Sequence, residues 1–385
     1  MCIIKKKFFN FIYSLICLTL VTSCASNELQ QKSKPVKESS YTEIAILLPI
    51  TGPESEKIKE YVSMIRAGLN DGANTKIRLG IYDSATPAIL NKSLEVIFER
   101  GTDIIIGPIY SAPTKIVAEK VSGKGVLVFS LSNNPAIVTE QTYVFGHAPM
   151  KQLQLLLNYA LDQNYDNYIT LMPEDEWSNK TNQILSEVIS SRGKKLLKTE
   201  FYNIKDTESM TSTVTKLSEL VDDLLQNNSN KPVIILSDEG DSLDQLLSIL
   251  TLHGIDKKAY LMSDNRINVS PDNQVEVIYT GSIVITRNNF FTLAKGIGIE
   301  KLSFMHLLSY DIGRIIGENI GDVYNRQEFI ARLNLPVLFK GVSGDTYFLE
   351  HIAQRHYQII KKEANIYKEL QVDELDQNLA KYDNR

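Results

Sequence analysis

The sequence predicts an α/β protein of two doubly wound lobes, with three chain crossings between them and a central cleft. Three observations carry this expectation. Short, wholly apolar runs recur along the chain; each is followed by a turn rich in Gly, Pro, Ser or Asp and then by an amphipathic helical stretch; and this alternation breaks at three places. A composition of 43% hydrophobic and 23% charged residues is that of an ordinary globular protein, and 385 residues suffice for about two domains.

The apolar runs are Ile44–Ile50, Ile77–Tyr82, Asp103–Ile106, Gly125–Phe129, Tyr168–Met172, Val233–Leu236 and Tyr260–Met262. They are brief and often β-branched, as expected of strands buried on both faces of a parallel sheet. Helical patterns lie between them at Ser55–Leu69, Ala88–Arg100, Thr114–Val121, Lys151–Asp162, Thr181–Ser191, Ser209–Leu225 and Ser242–His253. Parallel strands joined this way form right-handed crossovers. The breaks fall at Tyr143–Pro149, at Val275–Thr286 with Gly281 as its hinge, and at Leu335–Gly344. They assign 42–146 and 282–334 to lobe 1, 147–281 and 335–362 to lobe 2, and 363–385 to a polar tail.

The amino end is different material. Lys5, Lys6 and Lys7 precede an apolar run from Phe8 to Val21 that closes in Thr22, Ser23 and Cys24. A basic start followed by an apolar stretch shorter than the ~20 residues of a membrane span reads as an export signal over 1–23. A single transmembrane anchor is the alternative. Val21-Thr22-Ser23-Cys24 resembles the lipobox of bacterial lipoproteins, in which the Cys24 thiol takes a diacylglycerol and becomes the first mature residue. Cys2 and Cys17 would leave with the signal, so no internal disulfide is expected. Ala25 after the cysteine resembles an outer-membrane address. Residues 24–41 are polar and aperiodic, a flexible tether with a reach on the order of 60 Å.

Charge excludes one class of partner. There are 41 Lys and Arg against 46 Asp and Glu, and without Lys5 to Lys7 the balance is 38 to 46, so no basic footprint for nucleic acid exists. Five histidines, at 147, 253, 306, 351 and 356, make no HExxH, and no metal site or cofactor is expected. Gly296-Ile297-Gly298 lacks the third glycine of a dinucleotide loop, and no phosphate-cradling G-x-x-x-x-G-K-[ST] occurs. Gly341-Val342-Ser343-Gly344 is not a nucleophile elbow and reads as a crossing turn. An enzyme is not expected.

Binding is the chemistry that remains. In a doubly wound sheet ligands meet the loops after the strands' carboxyl ends. Here these are Pro49–Pro53 with Thr51, Asp83–Thr86 with Ser84, Gly107–Ser111, and Ser130–Pro135 with Ser132 and Asn133. Hydroxyls, amides and free helix-start N–H groups can hold a carboxylate without a buried cation. Equally, each such side chain can cap a helix or close a turn. The facing loops hold Trp177, Ser237-Asp238-Glu239 and Asp264-Asn265, where acids could meet an ammonium group or merely complement helix dipoles.

IAILLPITGP, GIYDSATP, DIIIGPIYSAPT and VLVFSLSNNP, in this order and spacing, resemble type I periplasmic binding proteins of the leucine-binding group over roughly residues 43–360. The resemblance implies two flavodoxin-like lobes. It places Ser111 where a serine holds the ligand carboxylate, Ser132 and Asn133 in the next ligand loop, Trp177 at an aromatic position over the ligand, and Asp264-Asn265 near the acid that takes the amino group. Tyr310-Asp311 matches a pair common in the family, which would line the cleft, while helical periodicity favours a helix packed on lobe 1 with Asp311 exposed. The combination of LLP-x-TGP, YDS and GPIYS after a lipobox is closer in detail to the lipoproteins that activate penicillin-binding proteins. That branch implies a lipid-anchored periplasmic protein, at the outer membrane, whose partner is a peptidoglycan synthase. The other implies a solute receptor serving an ABC permease for branched-chain amino acids or related amides.

Overall fold

The computed structural model describes residues 41–73, 77–147, 149–227, 230–264, 274–282, 290–322, 324–363 and 366–372. The expected signal, Cys24, the tether up to Ser40 and Asn265 lie outside these residues. The described chain forms two seven-stranded sheets, one per lobe.

In lobe 1, strands β1 (Thr42–Leu48), β2 (Ile77–Asp83), β3 (Ile104–Ile106), β4 (Leu127–Ser130) and β5 (Thr142–Val144) are parallel in the order 2-1-3-4-5. Lobe 2 repeats the arrangement with β6 (Asn167–Pro173), β7 (Lys195–Tyr202), β8 (Val233–Leu236), β9 (Tyr260–Ser263) and β10 (Val277–Gly281) in the order 7-6-8-9-10. Central strands are sealed on both faces: every residue of β1, β3 and β8 is buried, which is why 44–48 of β1 and all of β3 and β8 read as unbroken apolar runs.

The crossover helices are α1 (Ser55–Gly72), α2 (Pro87–Glu99), α3 (Ser111–Val121), α4 (Pro149–Asp162), α5 (Glu176–Ser191), α6 (Thr207–Gln226), α7 (Gly240–Leu252) and α8 (Ile255–Lys258). Local chemistry starts several of them. Thr86 accepts the Ile89 N–H ahead of Pro87, Asp175 accepts the Ser178 N–H, and Asp206 accepts the N–H groups of Glu208 and Ser209. After β10 the chain returns to lobe 1 as α9 (Phe290–Gly296), α10 (Phe304–Ile320) and α11 (Arg326–Leu333). Helix α10 lies against α1 at unusually short range, through Gly68 and Gly72 on one helix and Gly313 and Gly317 on the other.

Four further strands correct the expected boundaries. β11 (Asp345–Leu349) and β12 (Ile352–His356) join the lobe 1 sheet, where Ile352 pairs with Val144 of β5. The expectation that 335–362 belongs to lobe 2 therefore fails for these strands. The open edge of β5 offers β12 a parallel partner, and the third crossing moves to Tyr357. β13 (Gln358–Glu363) then pairs antiparallel with β10, and β14 (Ile366–Val372) pairs with β13. The expected polar tail thus begins as an edge strand whose charged side chains face water, a composition that protects edges from pairing with other chains. Strand β7, another edge, has the same disguise in KLLKTEFY.

The lobes are not sealed from each other in their interiors. One buried apolar network runs from Ile44 and Ile106 through Phe145, Leu156 and Phe304 to Met172, Ile235 and Tyr357.

Candidate functional site

The first wall is built at the carboxyl ends of β1 to β4. Because β3 and β4 are neighbours in register, their loops bring Ser111 and Ser132 together, hydroxyl to hydroxyl at 2.9 Å. Ser132 Oγ also accepts the Asn134 N–H at 3.2 Å, and the Ser132 N–H donates to Ser130 Oγ. Ser130 in turn donates to the Pro108 carbonyl and meets Thr114 at 2.9 Å. The result is a hydroxyl relay at the start of α3. Both readings of these side chains hold in part: Ser132 and Ser130 organise their turn, and Ser111 and Ser132 still form a paired polar end at the rim.

The remaining first-wall candidates separate from this pair. Thr51 donates to the Asp83 carboxylate, tying the β1 loop to the β2 loop. Burial pushes Asp83 upward, but donors from Thr51 and the Ala85 N–H outweigh it and hold the carboxyl below its ordinary value. Ser84 is buried, and its hydroxyl has no partner among the described residues. Asn133 is exposed, its main chain pressed against Gly146, where a Cβ would meet the Asn133 nitrogen at 2.4 Å.

The second wall is acidic. Asp264, at the end of β9, accepts from Ser237 Oγ at 3.1 Å, while its carbonyl accepts from Thr280 Oγ1. Burial, with added repulsion from Glu239 and Asp238, pushes its carboxyl up to about 8 against the bond from Ser237. Asp238 takes the Tyr202 phenol at 2.6 Å and is also held above its ordinary value, chiefly by burial. Trp177 stands 40% exposed in the first turn of α5, available to a ligand or partner rather than absorbed in the core.

Residues that no motif pointed to occupy the ground between the walls. The Phe304 ring stacks on His147 at 3.9 Å, and Tyr61 meets the edge of His306 at 4.7 Å. His306 bonds Ser303 at its own helix start and Glu60 on α1 at 3.0 Å. The backbone N–H of Phe304 donates to Glu239 of lobe 2, and Lys301 pairs with Asp241 of α7. Isolated histidines and a lone Phe carry no spacing signal, so only the folded chain could assemble them.

Asp311 corrects its expectation outright. It is fully buried, and accepts the Val342 N–H at 2.9 Å, the Ser343 N–H at 2.7 Å and the Ser343 hydroxyl. Arg355, also buried, donates to Ser343 and to the carbonyls of Phe145 and Gly146. This pair clamps the 341–344 turn and the first crossing from beneath.

Among the described residues no group of three His, Cys, Asp or Glu could hold a metal ion, and no helix is long and apolar enough to cross a membrane.

Comparison with known proteins agrees with this architecture. The LppC putative lipoprotein family matches residues 27–240. A protein of Rickettsia prowazekii (strain Madrid E), described as uncharacterized protein RP748, is 34% identical over 365 residues, covering 94% of this chain and 98% of its own. Among solved structures, a branched-chain amino acid ABC transporter periplasmic ligand-binding protein of Burkholderia xenovorans superposes with a TM-score of 0.62 at 10% identity, over 86% of this chain and 95% of its own. An ABC transporter substrate-binding protein of Sphaerobacter thermophilus gives 0.62 at 14% identity, over 86% and 97%. A solute-binding protein of Rhodopseudomonas palustris, in complex with 3,4-dihydroxy benzoic acid, gives 0.58 at 13% identity, over 87% and 98%. At such identities these likenesses establish the fold alone, whereas the family match spans more than half the sequence. The chain therefore belongs to the LppC lipoprotein family, on the two-lobed fold of type I periplasmic binding proteins.

Proposed function

We propose that this protein is a non-enzymatic, periplasmic lipoprotein, anchored to the outer membrane through acyl chains on Cys24, that activates a peptidoglycan synthase of the penicillin-binding-protein class by docking on it. The carrying observation is the tie between the lobes: Phe304 N–H to Glu239 and Lys301 to Asp241 hold the start of α10 against lobe 2. His147, Tyr61 and His306 fill the ground beside it. Such ties favour one setting of the lobes, which suits a preorganised docking body better than a receptor that must open and close, although the exposed Lys301–Asp241 pair adds little to it. The test is pull-down of penicillin-binding proteins by the full chain, with their glycan polymerisation and cross-linking measured alongside. Capture with increased synthesis is expected; absence of any contact sinks the reading. Palmitate labelling that persists in Cys24→Ser sinks the anchor.

A second reading rests on one specific pairing. Ser111 and Ser132 on one wall, with Asp264 and Ser237 on the other, supply the hydroxyl end and the acid end that an amino acid needs. Under it the protein is a solute receptor for an ABC permease. Calorimetry across the common amino acids, giving heat that Ser111→Ala abolishes, would favour it over docking.

A further inference from the structure

Beside the Ser111–Ser132 pair, a cavity in lobe 1 has a different chemistry. It encloses about 490 Å³ at the carboxyl ends of β1, β2 and β3, within the usual range of small-molecule sites, and every lining residue comes from lobe 1. Its walls are apolar and stiff: Pro49, Pro53, Pro87 and Pro113 with Leu90 and Ile116. Proline-walled loops change little on binding, so a ligand meets a preformed space. Polar groups are few. Glu54 is the only charged residue of the lining among the described residues and it is exposed; Tyr110, also exposed, donates its phenol to Glu54 at 3.3 Å. Ser84 lines the same cavity with a buried hydroxyl that has no hydrogen-bond partner among the described residues.

We propose that this cavity is a separate binding site for a small amine, with an apolar body between the prolines and an ammonium at the Glu54 and Tyr110 mouth. Charge selects the ligand. Among the described residues no Lys, Arg or His lines the space, so a carboxylate or phosphate would have only helix-start N–H groups to set against the full charge of Glu54. An ammonium meets an opposite charge and can lie against the Tyr110 ring. A neutral alcohol of the same shape keeps the apolar contact and the chance of bonding Ser84, but forfeits the ion pair. The site does not depend on the docking or the receptor reading, because it uses neither Ser111, Ser132 nor Asp264.

The test uses the full chain in lipid nanodiscs, with empty nanodiscs as reference, and follows the fluorine resonance of 4-fluorobenzylamine, 4-fluorobenzyl alcohol and 4-fluorobenzoate. The amine is expected to bind about three- to fivefold more tightly than the alcohol, as an exposed ion pair allows, and the benzoate not at all at this site. Ala112→Leu, which puts a larger side chain into the lining, should weaken amine and alcohol together by about tenfold or more. Glu54→Gln should bring the amine down to the alcohol and leave the alcohol unchanged. Binding that survives Ala112→Leu but is lost in Ser111→Ala would place it at the rim between the lobes and overturn the proposal. So would benzoate binding as tightly as the amine, or equal amine broadening by empty nanodiscs.

Discussion

No methyl group fits between Gly68 and the main chain of Tyr310: a Cβ at residue 68 would sit 2.0 Å from the Tyr310 carbonyl oxygen. The same closeness recurs where a Cβ on Gly313 would lie 2.3 Å from the Ile65 carbonyl. An exposed helical Gly→Ala exchange stabilises by up to about 1 kcal/mol, but backbone cannot yield as a side-chain tip can, and overpacking costs typically 1–3 kcal/mol. Gly68→Ala is therefore expected to lower the urea midpoint of the full chain. Gly296→Ala, where a Cβ meets nothing within 4 Å, should not. Equal midpoints for the two variants would refute the tight α1–α10 contact.

The Asp311 carboxylate is the hub of a second testable contact. Asp311→Ala leaves the Val342 and Ser343 N–H groups without their acceptor and Arg355 without its nearby buried anion. Breaking one partner of a buried charged network costs about 3–5 kcal/mol, enough to halve an ordinary domain's margin. Denaturation should show that loss, and proteolysis should cut the 341–344 turn first. A surface acid would cost almost nothing on removal.

Asp264 makes stability fall as pH rises. With its folded carboxyl near 8 and an unfolded value near 3.9, the native state keeps a proton that the unfolded chain has released. Stability from this group is present at low pH and falls as pH rises from about 4 to 8, by at most about 1.4 kcal/mol per unit. Asp264→Asn should flatten that decline in urea melts taken across the window. An unchanged slope would mean the group ionises freely.

His147 acts in the opposite sense. Burial holds its imidazole near 4, with Arg355 adding to the fall and Gln152 opposing it, so below about 6.5 the unfolded chain takes a proton that the native chain refuses. Its contribution is complete above about 6.5 and is lost toward about 4. His147→Asn should remove acid sensitivity in this range while leaving the Asp264 decline in place. Melts of the single and double variants with Asp264→Asn would separate the two.

Much of the scaffold is legible because the physics is local. Ile104–Ile106 can only be a strand sealed on both faces, and Thr86-Pro87 marks a helix start by itself. β7 and β14 escape notice because edge strands face water and wear the same charged residues as loops. Ser111 and Ser132 can be nominated separately from their loops, yet their 2.9 Å contact depends on β3 and β4 being neighbours. Asp311 defeats hydropathy for a further reason. A carboxylate satisfied by three buried donors looks, in one dimension, the same as one dissolved in solvent.

The placement of the last four strands governs how the molecule can come into being. β11 and β12 finish the sheet of the half begun at residue 42, and β13 and β14 finish the other, with Tyr357 alone between the two pairs. Neither half is a contiguous stretch of polypeptide. A chain made amino end first lacks the closing strand of its first half until His356 has arrived, and that of its second until Val372, so each half stays open until nearly the whole polypeptide exists.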